Sequence, residues 1–567
     1  MNAAPGSLLV SRAPRPQALS STMLLKQAQM QTSLLISISA QKFEQRRETC
    51  FMKLLNTPIY LIAKAIFCWI VCAACCNPAS AETSSKSLWV IPFREQQKDE
   101  MVLAQTLEGL CSRQSPRIWL DGGGMGAVIL RQLEQDGWQL HRIDNVWQLP
   151  DEIWQSYPKY ISYRDGDSSI NIATSLSGAY NAPALAEALK AQAKDKGLQE
   201  LFCATGRDTL QTLRANRKLF SNTIAIDQAS EKPAFLRDFA SANNAFYFSA
   251  GKDDRLRGEV AKLLSPGTTF YGWGPDEYRW ISVFSHFGSQ GAASDYCLNL
   301  SNLSKLPARI PRPNTAAPSA PPREGERVVA FVLSDGDNLQ WLTGNMAFDP
   351  KFFGNPHRGE FVMNWGISPL LADSAPLVLK YFYDNAKSSD YFFAMGNPGY
   401  RYIHDEPEPK GALDARQARS LLDKCYLRTM AVINTNEGNL TETAPLLALN
   451  ELDGLAYFSF APYNRLQGQV FFSRATKKPV VAAKFMLWDG VSGASIDEVA
   501  NAIARMPASP QHNIDSYAIV LVHAWSFSKV GGPIEAVRQT IARLPAGTRV
   551  VSLGDFFSFL RTNFATK

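Results

Sequence analysis

Short apolar runs alternate with amphipathic segments along most of this chain. Leu88–Phe93 reads LWVIPF and Arg117–Leu120 reads RIWL, as buried strands do, and residues 99–110 between them carry apolar side chains at helical spacing. Similar pairs of a strand and a helix follow further along the chain. This alternation predicts an α/β fold built on parallel sheets.

The first half of the chain predicts several small α/β units. In one of them, Ser169–Ala173 and Leu201–Ala204 read as strands around a helix from Pro183 to Lys194. Residues 306–327 contain six prolines together with alanine and serine, a composition that is typical of an extended linker. The predicted N-terminal units cover residues 82–160, 161–230 and 231–305.

The second half, residues 328–565, contains about eight strand candidates, most of which are followed by helical or turn sequence. This number and this length predict a C-terminal (β/α)-barrel, either regular or distorted to seven strands. The strand candidates are Val328–Ser334, Glu360–Asn364, Tyr391–Ala394, Thr429–Asn434, Leu455–Phe460, Val480–Leu487, Tyr517–His523 and Arg549–Leu553.

The first of these strands ends in a run of polar residues. After the apolar segment VVAFVL, the sequence continues with Ser334, Asp335, Gly336, Asp337 and Asn338. Acceptor-rich side chains at the end of a buried strand cost stability, and α/β proteins build their sites at that position. A turn that caps the next helix is the alternative interpretation.

Polar and aromatic side chains also follow the other strand candidates, and the ends of parallel strands in a barrel converge on one face. Carboxylates there supply an acid, a base or a nucleophile, amides bind hydroxyl groups, and indoles stack on sugar rings. We therefore predict a carbohydrate site. The predicted catalytic residues are Asp335, Asp337, Glu437, Asp489 and His523, and the predicted substrate-binding residues at strand ends are Asn338, Trp341, Asn364, Trp365, Asn434, Trp488 and Trp525.

Two alternatives stay open for these residues. A tryptophan at the end of a strand is also a common core residue, and His523 equally fits a structural role. Asp335, Asp337 and His523 are also a candidate set of ligands for a divalent metal. No other cofactor is predicted, because the glycine-rich segment 122–126 has neither dinucleotide spacing nor a phosphate-binding lysine.

The net charge of +6 belongs to the N-terminal segment. Residues 1–81 hold eight of the 58 basic and two of the 52 acidic residues, which leaves 50 of each in the remainder. The rest of the chain is therefore neutral overall, and no nucleic-acid partner is predicted.

Residues 52–81 read as a signal peptide. Lys53 begins a short basic region, residues 65–76 (AIFCWIVCAACC) form an apolar stretch too short to span a membrane, and residues 79–81 (ASA) form a cleavage site. We expect translation to start at Met52, with residues 1–51 a non-native or disordered extension, and the mature protein to begin near Glu82. It would then be secreted or periplasmic and have no stable membrane span; a retained signal anchor is the alternative.

The stretch SDGDNLQW, residues 334–341, resembles the SDGDN-x-QW segment of the GxGYxYP family of glycoside hydrolases. The motif that names the family is matched by Gly399-Tyr400-Arg401-Tyr402, with Asn397 in place of the first glycine and Ile403 in place of the final proline. The resemblance extends in linear order from about residue 85 to residue 562. It adds Tyr400 and Tyr402 to the predicted substrate-binding residues.

The leading interpretation is an exported glycoside hydrolase that acts on an oligo- or polysaccharide. The C-terminal segment around His523 is also similar to the end of polysaccharide deacetylase barrels, although Ala524 stands where those proteins have an aspartate. This makes a metal-assisted deacetylase the second candidate function. A glycan-binding envelope protein without catalytic activity is the third.

Overall fold

The computed structural model describes residues 86–314 and 318–565. The predicted extension and the predicted signal peptide therefore lie outside the described residues. Among the described helices, none is long and apolar enough to cross a membrane.

The N-terminal part, residues 86–314, is built from short strands and helices in alternation. Its strands are β1 (Ser87–Pro92), β2 (Ile118–Asp121), β3 (Gln139–Arg142), β4 (Lys159–Tyr163), β5 (Ala184–Ala186), β6 (Gln199–Cys203), β7 (Ile224–Asp227), β8 (Phe246–Phe248), β9 (Thr269–Gly272) and β10 (Gln290–Ala293). Its helices are α1 (Lys98–Ser112), α2 (Gly124–Gln135), α3 (Asp151–Ser156), α4 (Ser169–Tyr180), α5 (Lys190–Asp195), α6 (Thr209–Asn216), α7 (Arg237–Asn243), α8 (Asp254–Leu263), α9 (Glu277–His286) and α10 (Leu300–Leu303).

These strands form three separate parallel sheets. Their orders are β2-β1-β3, β5-β4-β6 and β10-β9-β7-β8. The predicted α/β class with parallel sheets is therefore confirmed. Strand β7 belongs to the third sheet, although it precedes residue 231, where the third unit was predicted to begin.

The strand predicted at Ser169–Ala173 is wrong, because these residues form the first turns of α4. Nine of the twelve residues of α4 are buried, so its pattern shows no polar face from which a helix can be recognised. Two of its hydroxyl groups are satisfied within the helix: Thr174 Oγ1 donates to the Ile170 carbonyl at 2.9 Å, and Ser175 Oγ donates to the Asn171 carbonyl at 2.9 Å.

The C-terminal part, residues 318–565, contains a larger sheet and its covering helices. Its strands are β11 (Arg327–Leu333), β12 (Met363–Ile367), β13 (Asp390–Met395), β14 (Thr429–Asn434), β15 (Gly454–Ser459), β16 (Val470–Phe472), β17 (Pro479–Ala482), β18 (Phe485–Leu487), β19 (Tyr517–Val522) and β20 (Thr548–Val550). Its helices are α11 (Leu339–Leu342), α12 (Leu371–Ser374), α13 (Pro376–Asp384), α14 (Ala412–Cys425), α15 (Ala444–Leu447), α16 (Ile496–Ala504), α17 (Pro533–Ile541) and α18 (Leu553–Phe564).

The C-terminal sheet is a curled half-barrel with the strand order β16-β17-β15-β14-β13-β12-β11-β19-β18. All its neighbouring strands are parallel except β16 and β17, and β20 pairs with the start of β11. The predicted strand at residues 480–487 is split into two. Its first half, β17, pairs with β15, and its second half, β18, pairs with β19. The predicted parallel C-terminal sheet is therefore present as a half-barrel, while a closed (β/α)-barrel stays a prediction.

Strand β11 is apolar because both of its faces are covered. Val329, Phe331 and Leu333 pack into one apolar cluster, while the intervening residues pack into another. This double burial is the expected environment of a central strand in a parallel sheet. It positions the polar residues that follow Leu333 at the end of a strand that is buried on both faces.

Asn364 joins three strands at the place where β12 and β20 both approach β11. Its side chain is fully buried, and its Nδ2 donates to the carbonyls of Phe331 at 2.9 Å and Val551 at 3.3 Å. Its Oδ1 accepts a hydrogen bond at 2.7 Å from the backbone N–H of Leu553, the first residue of α18. The amide therefore satisfies backbone groups that the sheet leaves unpaired.

We predict that Asn364→Ala lowers the free energy of unfolding by about 3 kcal/mol, because it leaves several buried backbone groups without partners. Urea denaturation measures the change. The control is Asn385→Ala, which removes one exposed hydrogen bond to the Tyr381 carbonyl and should cost about 0.5 kcal/mol or less. Equal losses in the two variants would contradict the role of Asn364.

Candidate active site

A cavity of about 450 Å³ lies at the carboxyl ends of the parallel strands in the C-terminal sheet. Helix α9 of the N-terminal part contributes Glu277 to its wall. The polar lining residues are Glu277, Ser334, Asp335, Asp337, Asn338, Gln340 and His523, and the others are Trp273, Met395, Tyr400, Ile433, Phe460, Ala461, Tyr463, Trp488, Leu521 and Trp525. The site therefore combines acidic groups with aromatic walls.

The turn after β11 brings both aspartates to the cavity. Asp335 has a φ of +63°, a left-handed conformation that aspartate tolerates better than most residues. Gly336 then packs against the backbone of β12, where an added Cβ would lie 2.2 Å from the carbonyl carbon of Gly366. Only glycine fits this contact, and the two aspartates on either side of it both line the cavity.

The Asp335 carboxylate accepts hydrogen bonds from three side chains. Trp525 Nε1 donates to its Oδ1 at 2.8 Å, and Asn338 Nδ2 donates to the same oxygen at 3.3 Å. The hydroxyl of Ser334 donates to Oδ2. Donors of this kind stabilise the charged form of a carboxylate.

The carboxyl group of Asp337 lacks the hydrogen-bond donors that surround Asp335. Its side chain is 8% exposed, and no described side chain donates a hydrogen bond to it. Burial, followed by the charges of Asp335 and Glu277, raises the pKa of Asp337 to about 8. Two carboxyl groups separated by one residue thus differ in environment, and such a difference is how one site provides both an acid and a base.

Glu277 reaches the cavity from the first turn of α9. The hydroxyl of Tyr400 donates to its Oε1 at 2.7 Å. Burial raises the pKa of Glu277, and the hydrogen bond from Tyr400 opposes that shift. The third carboxyl group of the site is therefore contributed by the N-terminal part of the chain.

The segment around Tyr400 attaches the C-terminal part to the third N-terminal sheet. Tyr400 forms an antiparallel bridge with Gly291 of β10, and both of its backbone hydrogen bonds to that residue measure 2.8 Å. Gln290 Oε1 accepts hydrogen bonds from the Gly399 N–H at 3.1 Å and from the Arg401 guanidinium at 2.8 Å. The Gly-Tyr-Arg-Tyr motif is thus the junction that holds Glu277 and the C-terminal strand ends at one cavity.

Aromatic rings form the other walls. His523 stacks on Trp488, with ring centroids 3.6 Å apart and an interplanar angle of 7°. His523 Nδ1 lies 2.6 Å from Ser526 Oγ, and burial lowers the pKa of His523, which favours the neutral imidazole. Trp525 is 52% exposed, so its ring presents apolar surface next to Asp335.

The structure brings together about half of the residues that the sequence predicted for the site. The predicted residues that line the cavity are Asp335, Asp337, Asn338, Tyr400, Trp488, His523 and Trp525. Glu437 and Asp489 are exposed and do not belong to the lining. The predicted residues that are buried outside the lining are Trp341, Asn364, Trp365, Tyr402 and Asn434.

Four of these buried residues support the walls or the sheet. Trp341 packs against Trp525 with ring centroids 5.0 Å apart, and the Tyr402 hydroxyl lies 3.4 Å from that of Tyr400. Trp365 Nε1 donates to Asp390 Oδ1 at 2.9 Å. Asn434 Nδ2 donates to Glu442 Oε2 at 2.9 Å, while its Oδ1 accepts a hydrogen bond from the backbone of His404.

Sequence reasoning missed other lining residues for two reasons. Phe460 and Tyr463 come soon after the end of β15. The expectation that site residues follow the ends of parallel strands therefore applies to them as well. Trp273 and Glu277 follow β9 in a different sheet, and no local pattern indicates that they meet the C-terminal strands.

The described residues, 86–314 and 318–565, contain no group of three or more His, Cys, Asp or Glu side chains arranged to hold a metal ion.

Comparisons with known proteins agree with the resemblance of the motifs. Residues 326–561 match the model described as "GxGYxYP putative glycoside hydrolase C-terminal domain", and residues 222–305 match the "GxGYxYP third domain". A search of curated proteins found no match. The structure is similar to the 1.25 Å crystal structure of a putative hydrolase from Bacteroides thetaiotaomicron, with a TM-score of 0.75 and 25% identity over 84% of this chain and 95% of that chain.

Both comparisons indicate a hydrolase. The two matched regions include the strand-end aspartates, the Gly-Tyr-Arg-Tyr junction and Glu277, which together form the cavity described above. The chain belongs to the GxGYxYP family.

Proposed function

We propose that this protein hydrolyses glycosidic bonds in an oligo- or polysaccharide. The observation that carries the proposal is the pair Asp335 and Asp337 in an aromatic cavity, where the pKa of Asp337 is about 8. Glycoside hydrolysis needs one carboxyl group that is protonated at neutral pH and a second one that is ionised.

In this mechanism Asp337 is the general acid. It donates its proton to the glycosidic oxygen as the bond between that oxygen and the anomeric carbon breaks. Asp335 is the second carboxylate, and its charge is stabilised by Trp525, Asn338 and Ser334. It either activates the water that attacks the anomeric carbon or attacks that carbon itself.

The aromatic residues would bind the sugar. Trp525 exposes half of its surface, and the stacked pair of Trp488 and His523 forms a flat apolar wall. Flat rings of this kind pack on the apolar faces of pyranoses, while Asn338 and Tyr400 supply polar groups for hydroxyls. An ionisable pair between aromatic walls favours hydrolysis over glycan binding alone, because binding does not require a buried protonated carboxyl.

We also infer that the curled C-terminal sheet acts as a distorted seven-stranded (β/α)-barrel. The inference is supported by the bent segment 479–487, which pairs with β15 through β17 and with β19 through β18. Strands arranged in this way would direct their carboxyl ends toward one cavity.

The proposed mechanism predicts how two substitutions change activity. Asp337→Asn and Asp335→Asn should each lower kcat by at least about 100-fold, since each removes one of the two carboxyl groups required. In the wild type, kcat/KM should fall as pH rises through about 8, where Asp337 loses its proton. A panel of glycans followed by mass spectrometry identifies the substrate on which these rates are measured.

The control for that experiment is Asp276→Asn, which removes an exposed carboxylate next to Glu277 but outside the lining. Asparagine preserves the helix cap that Asp276 forms with the Arg279 N–H, so this variant should retain activity. Full activity of Asp337→Asn would refute the role of Asp337. Release of acetyl groups from intact chains would point to a deacetylase instead, and glycan binding without any product would point to a binding protein.

The raised pKa of Asp337 also predicts how the stability of the fold depends on pH. Folded Asp337 keeps its proton up to about pH 8, whereas an unfolded aspartate loses it near pH 4, so the wild type loses stability as pH rises through this window. Asp337→Asn does not titrate and should therefore gain stability relative to the wild type between these pH values, by at most about 5 kcal/mol.

Chemical denaturation of both proteins at pH 5 and pH 9 tests this expectation. The exposed Asp489→Asn variant, which makes the same chemical change, should keep a constant difference from the wild type. A constant difference for Asp337→Asn as well would contradict the burial of an ionisable Asp337.

We further propose that the protein is exported and acts in the periplasm or outside the cell. The proposal is supported by the apolar stretch at residues 65–76 and by the small residues at 79–81. N-terminal sequencing of the protein recovered from a bacterial host should find a mature chain that begins near Glu82. A chain that retains the apolar stretch would argue for an anchor.

A further inference from the structure

The cavity has one more carboxyl group than glycoside hydrolysis needs. Asp337 and Asp335 fill the roles of the acid and the second carboxylate, and Glu277 remains. Glu277 is the first residue of α9, in the N-terminal part of the chain. The hydroxyl of Tyr400 donates a hydrogen bond to its Oε1 at 2.7 Å. Since Glu277 has no role in bond cleavage, its carboxyl group is available to bind a group of the substrate.

The charge of this group is not balanced by the protein. No lysine or arginine lines the cavity in the described part of the chain. Burial lowers the pKa of His523, so the histidine of the wall does not supply a positive charge at neutral pH. A carboxylate withdrawn from water without a cation nearby is costly for the fold, and a cation from the substrate would offset that cost.

Glu277 has a free acceptor for such a cation. Its Oε1 accepts the hydrogen bond from Tyr400, while its Oε2 receives no hydrogen bond from any residue in 86–314 or 318–565. Asp337, which is more than nine-tenths buried in the same cavity, also lacks a side-chain donor among those residues. The cavity thus offers acceptors and aromatic faces, and both attract an ammonium group.

We propose that Glu277 binds the protonated amino group of an amino sugar, and that the cavity selects amino sugars over N-acetylated and anionic sugars. This inference rests on the proposed glycoside hydrolysis for the roles of Asp335 and Asp337. An ammonium group on the sugar forms a charge-assisted hydrogen bond with Glu277 Oε2. An acetylated nitrogen has no charge to offer, and a uronate brings a fourth acidic group into the cavity.

Calorimetric titration of the full chain tests the inference with three probes of equal length: a glucosamine tetramer, its N-acetylated counterpart and a galacturonate tetramer. Binding is measured in Asp337→Asn protein, in which hydrolysis is slow. We expect the amine to bind roughly ten- to a hundred-fold more tightly than the N-acetylated tetramer, and the galacturonate not to bind. The preference for the amine should weaken as the salt concentration rises.

Two further substitutions, each made in the same protein, assign the preference to one side chain. Glu277→Gln keeps an oxygen that can accept from Tyr400 but removes the charge, so the amine and the N-acetylated tetramer should bind equally. Asp276→Asn removes the neighbouring charge outside the cavity and should leave the preference unchanged. Thermal melting of both variants checks that they are folded.

The inference is overturned if the N-acetylated or anionic tetramer binds as tightly as the amine, if none of the three binds, or if Glu277→Gln keeps the preference. Failure of the proposed hydrolysis gives a different result. In that case the amine binds selectively, but wild-type protein releases no shorter products from it.

Discussion

The buried junction around Arg401 is the interaction on which the site depends. The Arg401 guanidinium is fully buried, with its Nε 2.7 Å from Asp414 Oδ1 and one terminal nitrogen 3.3 Å from Glu406 Oε1. It also donates to Gln290, which joins it to the third N-terminal sheet. A buried cation needs all of these partners, so the two parts of the chain are held in one arrangement at this position. Glu277 and the strand-end aspartates come from different parts of the chain, and this junction connects those parts beside the cavity.

The cavity itself costs stability. Asp337 is buried next to Asp335 and Glu277, Asp335 has a left-handed backbone, and Gly336 has no room for a side chain. A buried carboxyl group and a left-handed aspartate are both unfavourable for folding, and such features are common at active sites. The double burial of β11 and the hydrogen bonds of Asn364 support the strand from which this costly turn begins.

The sequence located most of the C-terminal strands, because a central parallel strand is a short apolar run, although β12 (Met363–Ile367) lies three residues beyond its predicted range Glu360–Asn364. Strand β14 has the predicted bounds, Thr429–Asn434, and β11 and β19 each differ by about one residue. Prediction failed where burial removed the pattern, as in α4, which reads as a strand from residue 169. It also failed at residues 480–487, where a single apolar run bends and pairs with strands on two sides.

The sequence by itself indicated the family, the α/β class and the pairing of Asp335 with Asp337, because two residues separated by one glycine at the end of a buried strand stay close together in any fold of this class. Only the tertiary structure decided that Glu277 and Tyr463 share their cavity, and that Glu437 and Asp489 lie exposed outside it. The reason is physical. Local pattern shows which side chains follow a strand, but the curl of the sheet and the docking of another sheet decide which of them meet.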